Sequence, residues 1–240
     1  MPLFSIFLAY VLLSLYFCTK QARSTKNSKF IYAASSLFDV TGLGTTVAAF
    51  QQTLLASVTL IMVSTLIVTT VLSLWWLRIQ YFWNHYVALV LCAFGVFVTV
   101  YNDLRDAKGH WSFGNLSGDL LALLGALSYG VTSVISDYLL RHESNNFAIT
   151  AHLGLFGSIF SLLALLALGE LKTLASYSGP PSSVALFLCY AVCGFTIYSL
   201  AILLIKLSGA TVFHLVALFA TLFAMLYDTF LFNHNFVSYT

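Results

Sequence analysis

The sequence predicts an all-α membrane protein, a polytopic helical bundle of about eight transmembrane helices. Of its 240 residues, 60% are hydrophobic and only 8% are charged. Soluble domains carry about 25% charged and about 45–50% apolar residues. The apolar residues also form continuous runs, unlike the alternating pattern of membrane β-strands. These observations exclude an ordinary soluble fold, a disordered chain and a nucleic-acid-binding domain.

Eight apolar runs are each close to the ~20 residues that a helix needs to cross a bilayer. We place them at 3–18, 30–50, 54–77, 84–101, 118–140, 147–168, 183–205 and 210–232. The first run lacks a positively charged start and a cleavage site after Cys18, so we expect an uncleaved helix. The two longest connections, 102–117 and 169–182, are polar or rich in turn residues. Function is therefore expected inside a single membrane domain, 1–240.

Basic residues are distributed unequally between the two sides of the predicted bundle. Seven lie in the connections after odd-numbered runs: Lys20, Arg23, Lys26, Lys29, Arg78, Arg141 and Lys206. Three lie on the other side: Arg105, Lys108 and Lys172. Cytosolic loops carry the excess of Lys and Arg, so we expect the first side to be cytosolic and both termini to be lumenal or extracellular.

A weak internal repeat relates two of the predicted hairpins. Ala56-Ser57-Val58 opens the third run and Ala210-Thr211-Val212 opens the eighth, 154 residues later. The seventh run comes five runs after the second, an odd offset, so the matched hairpins would face opposite sides of the membrane. Inverted repeats of this kind are typical of secondary transporters. We expect two half-repeats, about 1–101 and about 118–240, in an incomplete ten-helix, five-plus-five arrangement that lacks its first and last helices.

Several segments, in order along the chain, resemble those of the F subfamily of solute carrier family 35. They are Phe38-Asp39-Val40, Ala49-Phe50-Gln51-Gln52-Thr53, Gly118–Ala126 with Tyr129, Asp137-Tyr138, Tyr198-Ser199-Leu200, Ile205-Lys206 and Ala210-Thr211. The resemblance implies a drug/metabolite transporter of ten helices in two inverted repeats, whose relatives carry nucleotide sugars or other organic solutes. Three positions depart from the family pattern: Ser136, His214 and Thr221.

Asp39 is the strongest candidate functional residue because it lies in the middle of an apolar run. A charged group at the bilayer centre costs at least ~2.5–3.5 kcal/mol, so such residues usually face a cavity or a partner. Asp39 would bind a cation, a proton or a solute hydroxyl. The alternative is a hydrogen bond to a neighbouring Ser or Thr that holds the bundle together.

Three polar residues near helix ends are further candidates for substrate binding or coupling. Gln51 and Gln52 carry amides that suit sugar hydroxyls or the edge of a base, but they would equally cap a helix at the interface. Lys206 would meet a phosphate as a point charge, or would snorkel to the headgroups as an anchor.

Asp137, His214 and Tyr198 complete the candidate set. Asp137 would act in gating, or simply pair with Arg141 four residues later. His214 would relay protons or bind solute, or would be a satisfied buried histidine. Tyr198, with Tyr129 and Tyr138, would stack on a base or pack against the core.

Four cysteines and several glycines have simpler interpretations. Cys92, Cys189 and Cys193 lie in apolar runs, and Cys18 ends one. Cys189 and Cys193 share a helix face but have no nearby His, Asp or Glu, so we expect buried small hydrophobic side chains and no metal site. Gly125, Gly130, Gly154 and Gly157 predict close helix packing, as do Gly42 and Gly44 beside Asp39.

Three functions compete. The leading hypothesis is a multi-pass transporter of a small organic solute, with nucleotide-related solutes as one candidate class. It would work by alternating access without ATP, since no P-loop is present. A membrane enzyme is disfavoured because the six histidines form no metal or catalytic motif, and no cofactor is expected. The alternative is a truncated, non-transporting structural or regulatory membrane protein, for which a homo-oligomer would cover the polar surface exposed by missing helices.

Overall fold

The structure confirms the all-α class. The computed structural model describes residues 2–18, 29–53, 55–106, 113–142, 145–167, 169–170 and 181–231, and no strand occurs within these ranges. The helices are α1 (Pro2–Ser14, continued by a 3-10 turn at Leu15–Cys18), α2 (Lys29–Phe50), α3 (Leu55–Met62), α4 (Ser64–Trp76), α5 (Trp83–Asp106), α6 (Phe113–His142), α7 (Asn146–Ala167), α8 (Pro181–Ser208) and α9 (Ala210–Leu231).

Most helix boundaries follow the apolar runs, but the connection between the fourth and fifth runs does not. We expected a polar loop over 102–117, whereas α5 continues to Asp106 and α6 begins at Phe113. Asp119 lies in the second turn of α6 and is buried. The cause is that a helix satisfies its own backbone hydrogen bonds and need not end where its apolar part ends.

Within the part of the chain that the structure describes, four helical segments are long and apolar enough, by length and composition, to cross a membrane: Ser57–Trp76, Leu116–His142, Asn146–Ala167 and Ala185–Ser208. Shorter apolar helices occur at Leu3–Ser14, His85–Val98 and Ala210–Ala220. The total of eight spans and the inverted repeat stay predictions. Five of the residues behind the predicted orientation lie outside the described ranges: Lys20, Arg23, Lys26, Lys108 and Lys172.

The third apolar run contains an irregular turn at Val63 that separates α3 from α4. The Val63 N–H donates to the Leu60 carbonyl at 3.1 Å, and the Leu66 N–H donates to the Val63 carbonyl at 3.0 Å. Thr65 Oγ1 donates to the Met62 carbonyl at 2.7 Å. Neither Pro nor Gly is present there, and Val63 keeps helical backbone angles, so the turn is a short stretch of 3-10 geometry within one apolar helical segment.

The chain divides into two compact units, each drawn from both predicted halves of the sequence. The first comprises 1–41 and 135–209, and the second comprises 42–134 and 210–240. In the first unit, α1 packs against α7 and α8. In the second, α9 packs against α3 and α4, which also contact α5. The predicted half-repeats therefore do not coincide with these units, and the repeat boundaries stay a prediction.

Glycines allow the closest helix contacts within each unit, as predicted. In the first unit, a Cβ at Gly154 would lie 2.5 Å from the Ser14 backbone nitrogen. In the second, a Cβ at Gly130 would lie 2.6 Å from Val68 Cγ1, and one at Gly42 would lie 3.3 Å from the Gly125 carbonyl oxygen. These contacts show that Gly42, Gly130 and Gly154 are packing residues.

Two positions with positive φ give a stability prediction. Arg78, after α4, has φ 51°, and Gly209, between α8 and α9, has φ +86°. The Gly209 N–H donates to the Ile205 carbonyl at 2.8 Å, which caps α8 in the αL manner. A non-glycine residue in this conformation costs about 1–2 kcal/mol. We expect Arg78→Gly to raise the free energy of unfolding by about 0.5–1 kcal/mol, and Gly209→Ala to lower it by about 1 kcal/mol.

Thermal unfolding in detergent micelles, followed by circular dichroism, measures both changes. Arg78→Ala is the control, because it removes the charge while keeping the strained backbone. A gain in stability for Arg78→Ala as large as that for Arg78→Gly would show that charge, and not backbone conformation, is responsible.

Candidate functional site

The first unit holds Asp39 as a buried carboxylate halfway along α2. Its side chain is 1% exposed. The Tyr10 hydroxyl, on α1, donates to Asp39 Oδ2 at 2.5 Å, and the Tyr198 hydroxyl, on α8, also bonds the carboxylate. The alternative given above named a neighbouring Ser or Thr as the partner of Asp39, whereas the partners here are two tyrosines from other helices. The result is a carboxylate held by three helices in the interior of the unit.

The two tyrosines contact each other as well as Asp39. Their hydroxyl oxygens are 3.3 Å apart, and their ring centroids are 5.8 Å apart with an interplanar angle of 46°. Tyr10 is fully buried, whereas Tyr198 is half-buried. Charge-assisted hydrogen bonds of this type are short and about twice as strong as neutral ones. The cluster of Tyr10, Asp39 and Tyr198 is called the aspartate–tyrosine cluster below.

Gly157 on α7 makes room for the Tyr10 ring. A Cβ at Gly157 would lie 2.5 Å from Tyr10 Cδ1 and 2.9 Å from Cγ. The near end of the ring, and not only its flexible tip, therefore rests on the bare backbone of α7. The position of the Tyr10 hydroxyl, and through it that of the Asp39 carboxylate, depends on the absence of a side chain at Gly157.

Close to this cluster, the 3-10 turn after α1 adds further aromatic contacts. The Tyr16 ring stacks on Phe195 with a centroid distance of 5.4 Å and an angle of 15°. The Tyr16 hydroxyl donates to Ser199 Oγ at 3.2 Å. Because Ser199 directly follows Tyr198, these contacts fix the same part of α8 that presents Tyr198 to Asp39.

The second unit contains a separate feature, a cavity of about 230 Å³ beside the irregular turn at Val63. Tyr129 from α6 and His214 from α9 line it together with residues of α3 and α4. His214 Nε2 lies 2.8 Å from Ser133 Oγ, and both side chains are buried. The predicted candidates Asp39 and Tyr198 belong to the first unit, and His214 belongs to the second. Neither unit by itself therefore contains all three.

The remaining predicted residues lie at helix ends. Gln51 and Gln52 are exposed after α2, and Gln52 Oε1 accepts a hydrogen bond from Ser117 Oγ at 2.5 Å. Lys206 is exposed in the last turn of α8. The Arg141 Nε donates to Asp137 Oδ1 at 2.9 Å, which is the simple helix pair given above as the alternative to gating.

The prediction for two cysteines was wrong. Cys189 and Cys193 are exposed, not buried, because they lie on an outward face of α8. Cys92 is partly buried. Within the described ranges, no group of three His, Cys, Asp or Glu side chains is placed to hold a metal ion.

A comparison with protein families decides the classification of the chain. The family model described as "Solute carrier family 35", of the F subfamily, matches residues 1–239. The chain belongs to the F subfamily of solute carrier family 35. With its apolar helices, it is an integral, multi-pass membrane protein whose helices face the lipid bilayer.

Relatives within solute carrier family 35 are similar over most of the chain. "Solute carrier family 35 member F2" of Mus musculus is 34% identical over 85% of this chain and 54% of its own length. The protein of the same name in Xenopus tropicalis is 30% identical over 98% of this chain and 63% of its own. An uncharacterized solute carrier family 35 member of Schizosaccharomyces pombe is 26% identical over 98% and 48%. The chain thus spans about half to two thirds of the length of these curated relatives.

Sequence reasoning missed Tyr10 and Ser133, although both contact predicted residues of this family 35 chain. Tyr10 lies in the first apolar run among other aromatic and aliphatic residues, so its type alone does not distinguish it. A usable signal was present: a buried carboxylate such as Asp39 needs a donor from another helix. Ser133 offers a similar case, since a buried His214 needs a hydrogen-bond partner.

Proposed function

We propose that the chain acts in membrane transport of a small organic solute by alternating access, with Asp39 as the binding or coupling group. The observation that carries this proposal is the aspartate–tyrosine cluster. An ionisable residue in the interior of a membrane helix is costly, and in membrane proteins it usually marks a solute or ion pathway. Membership of solute carrier family 35 is the second support, because the relatives bear the name of solute carriers.

The chemistry of the cluster suits exchange of hydrogen bonds. A carboxylate accepts several hydrogen bonds, and a tyrosine hydroxyl both donates and accepts. A solute hydroxyl, a solute N–H group or a cation would take the place of one tyrosine hydroxyl on Asp39. The released tyrosine would then bond a second polar group of the solute. Because three helices meet at the cluster, this exchange would loosen one helix contact while another forms, as alternating access requires.

The resemblance points to nucleotide-related solutes, so the test uses the uncharged solutes adenine and uridine and the anionic solute UDP-glucose. Radiolabelled forms are added to proteoliposomes that contain the purified chain, with empty liposomes as blank. We expect uptake of at least one of these solutes. We expect Asp39→Asn to reduce the initial rate of that uptake by at least about tenfold, which corresponds to about 1.4 kcal/mol in the activation free energy.

Asp119→Asn is the matched control. Asp119 is also a buried carboxylate in a membrane helix, and it accepts a hydrogen bond from Ser57 Oγ at 3.3 Å. It belongs to the second unit, and its hydrogen bond to Ser57 does not involve the cluster, so its amide variant should keep the wild-type rate. Uptake of none of the three solutes would contradict the proposal. Equal rates for the Asp39→Asn variant and the wild-type protein would contradict it as well.

A further inference from the structure

We infer that the cavity of the second unit is a binding site for an uncharged, ring-sized organic group. The identification of this ligand as a transported solute rests on the proposed function. The binding itself is a separate property of the cavity. Four observations carry it: the volume, the lack of charged walls, the few polar groups and the irregular helix beside it.

The volume sets the size of the ligand. An engineered cavity of about 150 Å³ lined by apolar side chains holds one benzene molecule. At about 230 Å³ the cavity is larger by roughly half. It therefore has room for one substituted ring or two small fused rings, and not for a ring together with a sugar and phosphates.

The walls set the charge of the ligand. Among the described residues that line the cavity, none is Asp, Glu, Lys or Arg. Phosphate groups are recognised by Arg or Lys, and burying an unpaired ion costs several kcal/mol. Anionic and cationic solutes are therefore disfavoured at this place, although the first unit contains a carboxylate in Asp39.

A few polar groups interrupt walls that are otherwise apolar. The polar groups are the imidazole of His214, the phenol of Tyr129 and the hydroxyl of Thr65. Ser133 Oγ, 2.8 Å from His214 Nε2, fixes the orientation of the imidazole. Apolar and aromatic walls with a small number of positioned polar groups are typical of small-molecule sites. The ligand should accordingly carry one hydrogen-bonding group on an apolar ring.

The irregular turn at Val63 is an independent pointer to the same place. Four residues of this turn, Met62, Val63, Thr65 and Leu66, line the cavity. Val63 keeps helical backbone angles, and its i→i−3 hydrogen bonds make this turn a short stretch of 3-10 geometry within a longer helix. A mid-helix stretch of 3-10 geometry often marks a functional hinge. The 3-10-type turn and the open volume thus coincide at one site.

The test measures binding of ¹⁴C-indole, an uncharged fused ring with one N–H donor. The purified chain is held in lipid nanodiscs, and equilibrium dialysis against empty nanodiscs corrects for partition into lipid. We expect one saturable site per chain. Indole-5-carboxylate, which has the same rings and a negative charge, should show at least tenfold weaker binding.

The variant Ala217→Phe fills the cavity, because Ala217 lines it on α9. It should weaken indole binding at least tenfold. Ala220→Phe is the matched control, since Ala220 lies on the same helix but is exposed. If Ala217→Phe does not fold, Ala217→Leu introduces a smaller side chain and should weaken binding in the same direction.

The outcomes separate this inference from the proposed function. Absence of saturable indole binding, equal binding by Ala217→Phe and wild type, or equal affinity for indole-5-carboxylate would overturn the inference, whatever the proteoliposomes show. Saturable indole binding that Ala217→Phe abolishes would uphold the site even if none of the three transport solutes were taken up.

Discussion

Replacing Gly154 by alanine is expected to lower the free energy of unfolding by about 1–3 kcal/mol, through overpacking of α1 against α7. The new Cβ would lie 2.5 Å from the Ser14 nitrogen and 2.6 Å from the Leu13 carbonyl carbon. Both are backbone atoms, so no side-chain rotation can relieve the clash. The two helices must separate, and the fully buried residues of α1, such as Ile6 and Leu13, would lose part of their contacts.

Gly95→Ala is the matched control for this prediction. Gly95 also lies within a helix, α5, but a Cβ there meets no atom within 4 Å. Since alanine is favoured over glycine in a helix interior, Gly95→Ala should raise stability by about 0.5–1 kcal/mol. Thermal unfolding in detergent compares the two variants. Destabilisation of the same size in both would show that helix glycines in this protein are needed for a reason other than close contact.

Tyr10→Phe is the second change with a large expected effect. It removes the hydroxyl that donates to Asp39 Oδ2 while leaving the ring in place. A hydrogen bond to a charged group contributes about 1.5–3 kcal/mol, so we expect a loss of stability in that range. Tyr198 is half-buried and more accessible, and Tyr198→Phe should therefore cost less.

A double-mutant cycle with Asp39→Asn tests whether the effect passes through the carboxylate. The asparagine amide carries no net charge, so Tyr10→Phe should lower the stability of the Asp39→Asn protein by less than it lowers that of the wild type. We expect a coupling free energy of about 0.5–3 kcal/mol between the two positions. Purely additive effects on the free energy of unfolding would mean that Tyr10 stabilises α1 through its ring alone. The Tyr10–Asp39 hydrogen bond would then not contribute to stability.

The fold class and most helix boundaries could be predicted because apolar runs are long and continuous. The irregular turn at Val63 was not predicted, since the usual signals for a break, Pro and Gly, are absent there. The Thr65 hydroxyl bonds the backbone at this turn, but other threonines of these helices make the same bond in regular helix, so the residue type is no signal. The helical ends of α5 and α6 were missed because polar composition indicates where a helix leaves the apolar phase, not where it ends.

Only part of the site could be predicted in the same way. Asp39 and Tyr198 were selected by type and position, and the structure places them together in one unit. Their common partner Tyr10 is 29 residues from Asp39 and 188 residues from Tyr198 along the chain. Neither helical periodicity nor motif spacing carries information over such separations. The exposed cysteines were misjudged for a related reason: an apolar run does not show which of its faces points to lipid.

The long separation between α1 and its partners bears on how the chain is made. Ribosomes add about 5–20 residues per second, so Tyr198 is synthesised roughly 10–40 s after Tyr10. Asp39 follows Tyr10 within a few seconds at that pace, and the first helical hairpin is expected to protect its own buried charge before the rest of the protein exists. Docking of α7 and α8 then completes the unit. Biogenesis should thus pass through an early two-helix intermediate, in which the Tyr10–Asp39 hydrogen bond keeps an ionised group tolerable in the bilayer.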